Sequence, residues 1–282
     1  MIDNSIKFGL AKKLHLSGKI EESQKIYLQL ATTNKKNHEL FFLLGTTFLQ
    51  LKNYDNAINN FNKSISINSN FPNTYNNKGI ALAEKHDYSE AIINYDKAIK
   101  LKKDYADAYL NKGISLNKLK RFSEAIKYFK LLIKVKPLDP KIYNNLGNVY
   151  KNLKNYNEAI NAYEKAIKIK EKYFEAISNK ADVLHSLKKY DEALVLLDQI
   201  FKEEPDFWGL SEKIISNKMF ICEWEEFDKI KYSIKNNLLK NEIAIAPLFI
   251  HYLFDDPELH KLNSEAFVSY EFKNVTKTNT IK

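Results

Sequence analysis

Asparagine recurs at 77, 111, 145 and 179, each 34 residues after the last. A primary amide offers two N–H donors and a carbonyl acceptor, which complement the C=O and N–H groups of an extended peptide. A regular row of them could grip a polypeptide largely irrespective of its sequence, with neighbouring side chains setting preference. Asn77, Asn111, Asn145 and Asn179 are therefore the candidate peptide-binding residues. Asparagine is abundant along the whole chain, so composition alone also generates such rows.

Residues suited to catalysis are sparse. Cys222, the only cysteine, would need a nearby base to act as a nucleophile, and a packed turn cysteine beside Trp224 is the simpler reading. One cysteine excludes an intramolecular disulfide framework and a cysteine metal cluster, and makes a reducing, cytoplasmic setting the expectation. His15 and His185 are too far apart to pair and read as groove or surface residues. No glycine-rich phosphate loop, strand–helix alternation or acid–base cluster is visible. No catalytic residue, cofactor or metal is expected within these 282 residues.

The elements that carry the asparagines follow from the period. With Asn4 as position 1, the register runs to Phe207 without insertion, as 4–37, 38–71, 72–105, 106–139, 140–173 and 174–207. Position 8 reads Ala11, Gly45, Gly79, Gly113, Gly147, Ala181, and position 20 reads Ser23, Ala57, Ala91, Ala125, Ala159, Ala193. Small residues there let two helix backbones approach closely. Position 24 fills the surrounding space with Tyr27, Phe61, Tyr95, Phe129, Tyr163 and Leu197. A break falls near positions 14 to 17. Position 18 (Glu21, Asp55, Ser89, Ser123, Asn157, Asp191) offers a good N-cap for a second helix in five of the six repeats, and position 19, mostly glutamate, suits its positive end.

This helix–turn–helix pattern resembles the tetratricopeptide repeat family, most closely in "YNNLGNVYKNLKNYNEAINAYEKAI", residues 143 to 167. The resemblance implies an all-α, right-handed superhelical solenoid whose first helices line a concave groove, with the four asparagines at position 6. It covers six repeats. Repeat one, with Lys7 where most others place an aromatic, is expected to form a polar N-terminal cap. The family's two-carboxylate clamp is absent, because position 5 reads Phe8, Phe42, Asn76, Leu110, Asn144, Ser178 and position 6 carries no cation in the six repeats. Asp107, Glu175, Asn148 and Asp182, also on first helices, could favour basic or hydroxyl-bearing segments.

The net charge of +9 belongs to the repeats, since residues 208–282 hold 10 lysines against 11 acids. Lys100, Lys134, Lys168 and Lys202 fall in the last turn of second helices, where cations complement the macrodipole. With Arg121 the single arginine and no basic recognition helix, nucleic acid is not an expected partner. The longest apolar stretch, 243–254, is about half a membrane span and contains Pro247, so no membrane segment is expected either.

Continuing the register, Trp224 falls at position 17 but Phe227 occupies the small-residue position 20. Residues 208–241 thus read as a degenerate seventh repeat. Residues 242–272 read as a helical linker, with helices at 245–254 and 257–270, and 273–282 as a flexible tail. Asp256 can cap the second of these helices, with Pro257 in its first position. The Cys–acid–Trp segment followed by "PLF" and "DDPEL" also resembles the passage from repeats to catalytic region in the protein O-GlcNAc transferase family, Spindly-type O-fucosyltransferases included. That resemblance implies a substrate-recruiting part of a glycosyltransferase, its four asparagines holding protein substrates and its catalytic region outside these residues. The alternative is a free-standing scaffold with no enzymatic activity. Client, sugar and oligomeric state are not legible.

Overall fold

The computed structural model describes residues 4–204, 209–221, 231–232, 235–236, 239 and 255–272, except for the side chains of 211–212 and 266–272. The readings made for Cys222, Trp224, Phe227, the helix at 245–254, the tail 273–282 and the boundaries at 207/208 and 241/242 lie outside these residues.

Every regular element among them is an α-helix. The chain divides into two compact units, Met1–Leu138 and Asp139–Lys282. The first holds α1 (Asn4–Leu16), α2 (Ile20–Thr33), α3 (His38–Gln50), α4 (Tyr54–Ile67), α5 (Pro72–Glu84), α6 (Tyr88–Leu101), α7 (Ala106–Lys118) and α8 (Phe122–Val135). The second holds α9 (Pro140–Asn152), α10 (Tyr156–Ile169), α11 (Phe174–Ser186), α12 (Tyr190–Glu203), α13 (Leu210–Ile221) and α14 (Pro257–Phe272).

Each odd-numbered helix from α1 to α11 forms an antiparallel hairpin with the helix after it. Four glycines set how close the two helices come. A methyl group on Gly45, Gly79, Gly113 or Gly147 would lie 2.5–2.7 Å from the ring at position 24 of its own hairpin, in Phe61, Tyr95, Phe129 and Tyr163 respectively. Those rings and the alanines at position 20 are buried, so the small-against-ring pattern read from the sequence is the centre of each hairpin. Successive hairpins then stack, α2 on α3, α4 on α5 and α6 on α7 in the first unit, α10 on α11 and α12 on α13 in the second.

The turn inside each hairpin differs from the sequence reading. The N-cap is position 16 rather than 18: Asn53 and Asp87 accept from the backbone N–H groups of Asn56 and Glu90, and the second helix starts at position 17. The cause is position 15, which adopts a left-handed backbone in every repeat. Gly18 has φ 81°, and Lys52, His86, Lys120, Lys154 and Lys188 have φ between 59° and 64°. This residue closes the first helix as a Schellman motif, in which the Asn53 N–H reaches Phe48 O and the Lys52 N–H reaches Leu49 O. Position 18 is thereby drawn inside the first turn.

Two ends are built differently. On α1, Ile6 and Leu10 are 64% and 51% exposed, whereas their counterparts Leu40 and Leu44 are buried beneath α2. No described helix covers this face of α1, so Ile6 and Leu10 stay exposed on the repeat expected to form a polar cap. In the second unit Ile214 and Ile215 of α13 join Leu197, Ile200 and Leu259 of α14 in one apolar cluster. Helix α14 begins with Asp256 accepting from the N–H groups of Glu258 and Leu259, and Pro257 needs no donor at that position.

Candidate peptide-binding residues on the first helices

Asn77, Asn111, Asn145 and Asn179 stand on α5, α7, α9 and α11, each partly exposed. They are not a row of free amides. Asn111 Nδ2 donates to Asn76 Oδ1 at 3.2 Å, and Asn179 Nδ2 donates to Asn144 Oδ1 at 3.0 Å. In both pairs position 6 of one repeat leans on position 5 of the repeat before it. Asn77 Nδ2 donates to Thr46 Oγ1 at 3.4 Å, and Asn77 Oδ1 accepts from Asn76 Nδ2 at 3.3 Å. Asn145 Nδ2 turns back to Lys141 O at 2.8 Å. The repeat before it has Leu110 at position 5, which carries no acceptor. Each amide has a second N–H and a carbonyl oxygen, so one bond does not exhaust it.

The pattern extends beyond the four. Lys213 of α13 occupies position 6 of the seventh unit, and its Nζ donates to Ser178 Oγ, at position 5, over 2.6 Å. Lys213 also pairs with Asp182 at 2.7 Å, and Lys151 reaches the same carboxylate at 3.4 Å. Asp182 is thus neutralised by two lysines, which corrects the expectation that it favours basic segments. Asn148 is engaged likewise, its Oδ1 accepting from the Tyr163 hydroxyl at 2.8 Å. Burial of the Tyr163 phenol raises its pKa and keeps it a donor. The register continued past Phe207 puts Lys213 at position 6, where a lysine does not resemble the asparagines before it.

His185 is fixed from several sides. Asn217 donates through Nδ2 to Lys213 O, which aims Asn217 Oδ1 at His185 Nδ1, 3.1 Å away. That acceptor places the ring proton on Nδ1. The His185 ring stands edge-on to Tyr190 and Phe220, which stack on each other at 4.8 Å. Beside it lies a cavity of about 370 Å³ reached by Asp182, Ser186, Lys213 and Asn217. His15, at the same repeat position, instead bonds Gln50 Oε1 at 2.8 Å. Among the described residues no group of histidine, cysteine or carboxylate side chains could hold a metal ion. No described helix is long and apolar enough to cross a membrane.

Tetratricopeptide repeat family models match residues 45–86, 81–120, 106–137 and 140–173. The chain carries tetratricopeptide repeats across these residues. Solved structures share its fold. PilW, titled a widely conserved type IV pilus biogenesis factor, is 21% identical with TM-score 0.67, covering 76% of this chain and 97% of its own. The MamA protein is 24% identical with TM-score 0.54, over 60% and 92%. The APC/C hetero-tetramer Cut9–Hcn1 is 20% identical with TM-score 0.64, over 91% and 48%. At these identities the likeness concerns the fold. A search of curated protein sequences gives no match.

Proposed function

We propose that this chain is a protein-interaction scaffold that holds extended polypeptide against its first helices, through Asn77 and Asn111 in one unit and Asn145 and Asn179 in the other. The observation that carries the reading is the seating of these amides. Asn111 and Asn179 are held by Asn76 and Asn144, so each presents its remaining donor and acceptor in a fixed orientation without further loss of rotamer freedom. Repeat-to-repeat recurrence of one geometry suits a ligand that itself repeats, and the peptide backbone is such a ligand.

The test is a panel of unstructured fifteen-residue peptides of varied sequence, measured by fluorescence anisotropy. Peptides held through the amides should lose about tenfold in affinity, roughly 1.4 kcal/mol, in the Asn111→Ala/Asn179→Ala variant. Binding that survives this change but disappears in salt would mean the lysines hold the ligand electrostatically, and would defeat the proposal.

A finer reading makes the chain the substrate-recruiting part of an O-GlcNAc-transferase-like enzyme. It rests on sequence resemblance in 208–272, and neither the matched family models nor the neighbours named above add to it. The scaffold reading is therefore preferred. Affinity-purified full-length protein that transfers sugar from a nucleotide-sugar donor to bound peptide would reverse that preference.

A further inference from the structure

Away from the asparagines, the hairpins differ in how they fill the groove where a first helix is recessed between two second helices. In repeat four this groove lies over α7, between α6 and α8. Lys112, at position 7, rises through it, donating to Asp96 Oδ1 at 2.5 Å and to the Tyr128 hydroxyl at 2.7 Å. Its side chain is almost wholly buried. Repeat six repeats the device with Lys180, which donates to Glu164 Oε1 at 2.7 Å. Asp96 and Glu164 hold position 25 of the preceding repeat, and Tyr128 holds position 23 of its own.

Repeat two lacks the plug. Position 7 is Leu44, and the residues facing each other across the groove are Leu28, at position 25, and Asn60, at position 23. A cavity of about 500 Å³ is left between α2, α3 and α4, with Phe41, Leu44 and Phe48 among its lining residues. That volume falls within the range of small-molecule sites, about 300–1,000 Å³. Asn60, itself 7% exposed, lines it with one N–H committed to Asn56 O. The charged residues that line it are Lys35 and Lys63, and no carboxylate does. Lys63 Nζ stands 5.7 Å above the Phe41 ring.

We infer that this groove binds an apolar anion, an aliphatic or aromatic body ending in a carboxylate. The floor takes the body, the Asn60 amide and the two lysines take the head. A cationic head of the kind that fills repeats four and six is excluded here by charge. Its carboxylate partner is replaced by Leu28, and the neighbouring ammonium groups repel it.

The experiment titrates decanoate, and separately decyltrimethylammonium, into the full chain below their aggregation concentrations, by calorimetry and amide NMR. Decanoate should bind saturably at one site, at least about tenfold more tightly than the cation, with shifts confined to α2, α3 and α4. Lys35→Ala/Lys63→Ala, both exposed, should weaken decanoate about fivefold with the helical signal unchanged. Leu28→Asp/Leu44→Lys places the lysine–aspartate pair of repeat four in this groove and should abolish binding. If that variant does not fold, the lysine pair decides. Equal binding of the two head groups, no effect of the lysine pair, or no saturable binding would overturn the inference.

Discussion

Gly147 and Tyr163 meet so closely that a methyl on the glycine would lie 2.5 Å from Tyr163 Cε1. The ring has no room to withdraw, since it is fully buried and its hydroxyl is tied to Asn148. Gly147→Ala gains about 1 kcal/mol of helix propensity but forces a ring out of place, at about 1–3 kcal/mol. The variant should be less stable, by up to about 2 kcal/mol, in urea unfolding. A variant as stable as the parent would show that the hairpin opens freely.

Tyr27 takes the ring position in repeat one, but its hydroxyl is buried and has no partner among the described residues. Phe61 and Phe129 fill the same position without one. Tyr27→Phe should therefore leave stability unchanged or raise it by about 1 kcal/mol, whereas Tyr163→Phe, which orphans Asn148, should lower it by about that amount. Thermal unfolding of the two variants side by side checks the contrast.

The same phenol gives a pH signature. Burial, and secondarily Glu39, pushes the Tyr27 pKa from 10.0 to about 12. The folded state thus disfavours the phenolate, so its contribution is complete below pH 10 and is lost as pH rises from about 10 through 12. Stability measured between pH 9 and 12 should fall less steeply for Tyr27→Phe than for the parent. Parallel curves would contradict the assignment.

Lys154 has φ 60° in the turn of repeat five. A left-handed backbone costs a side-chain-bearing residue about 1–2 kcal/mol, and glycine nothing. Offset by the greater freedom of unfolded glycine, Lys154→Gly should stabilise by about 0.5–1 kcal/mol. Lys154→Val should destabilise. Chemical denaturation of both decides.

The hairpins were legible in the sequence because their packing is periodic. Gly45 to Gly147 and the rings they meet recur at one spacing, and each glycine is explained by the ring beside it. The turn was less legible. Only Gly18 advertises a left-handed residue, while lysine or histidine stands there in the other five repeats, so Asp55 and Ser89 looked like caps. The asparagine row was legible as positions but not as bonds, because the acceptors, Asn76 and Asn144, lie one repeat away and act through stacking geometry. Lys213 was hidden by the fading of the repeat after Phe207.

The bond from Asn111 to Asn76 spans two hairpins, as does that from Asn179 to Asn144. Tension applied at one such rung is therefore passed to its neighbour rather than borne by a single side chain. A strand tugged from the protein would load adjacent repeats together, so that resistance to pulling should exceed what any single contact could supply.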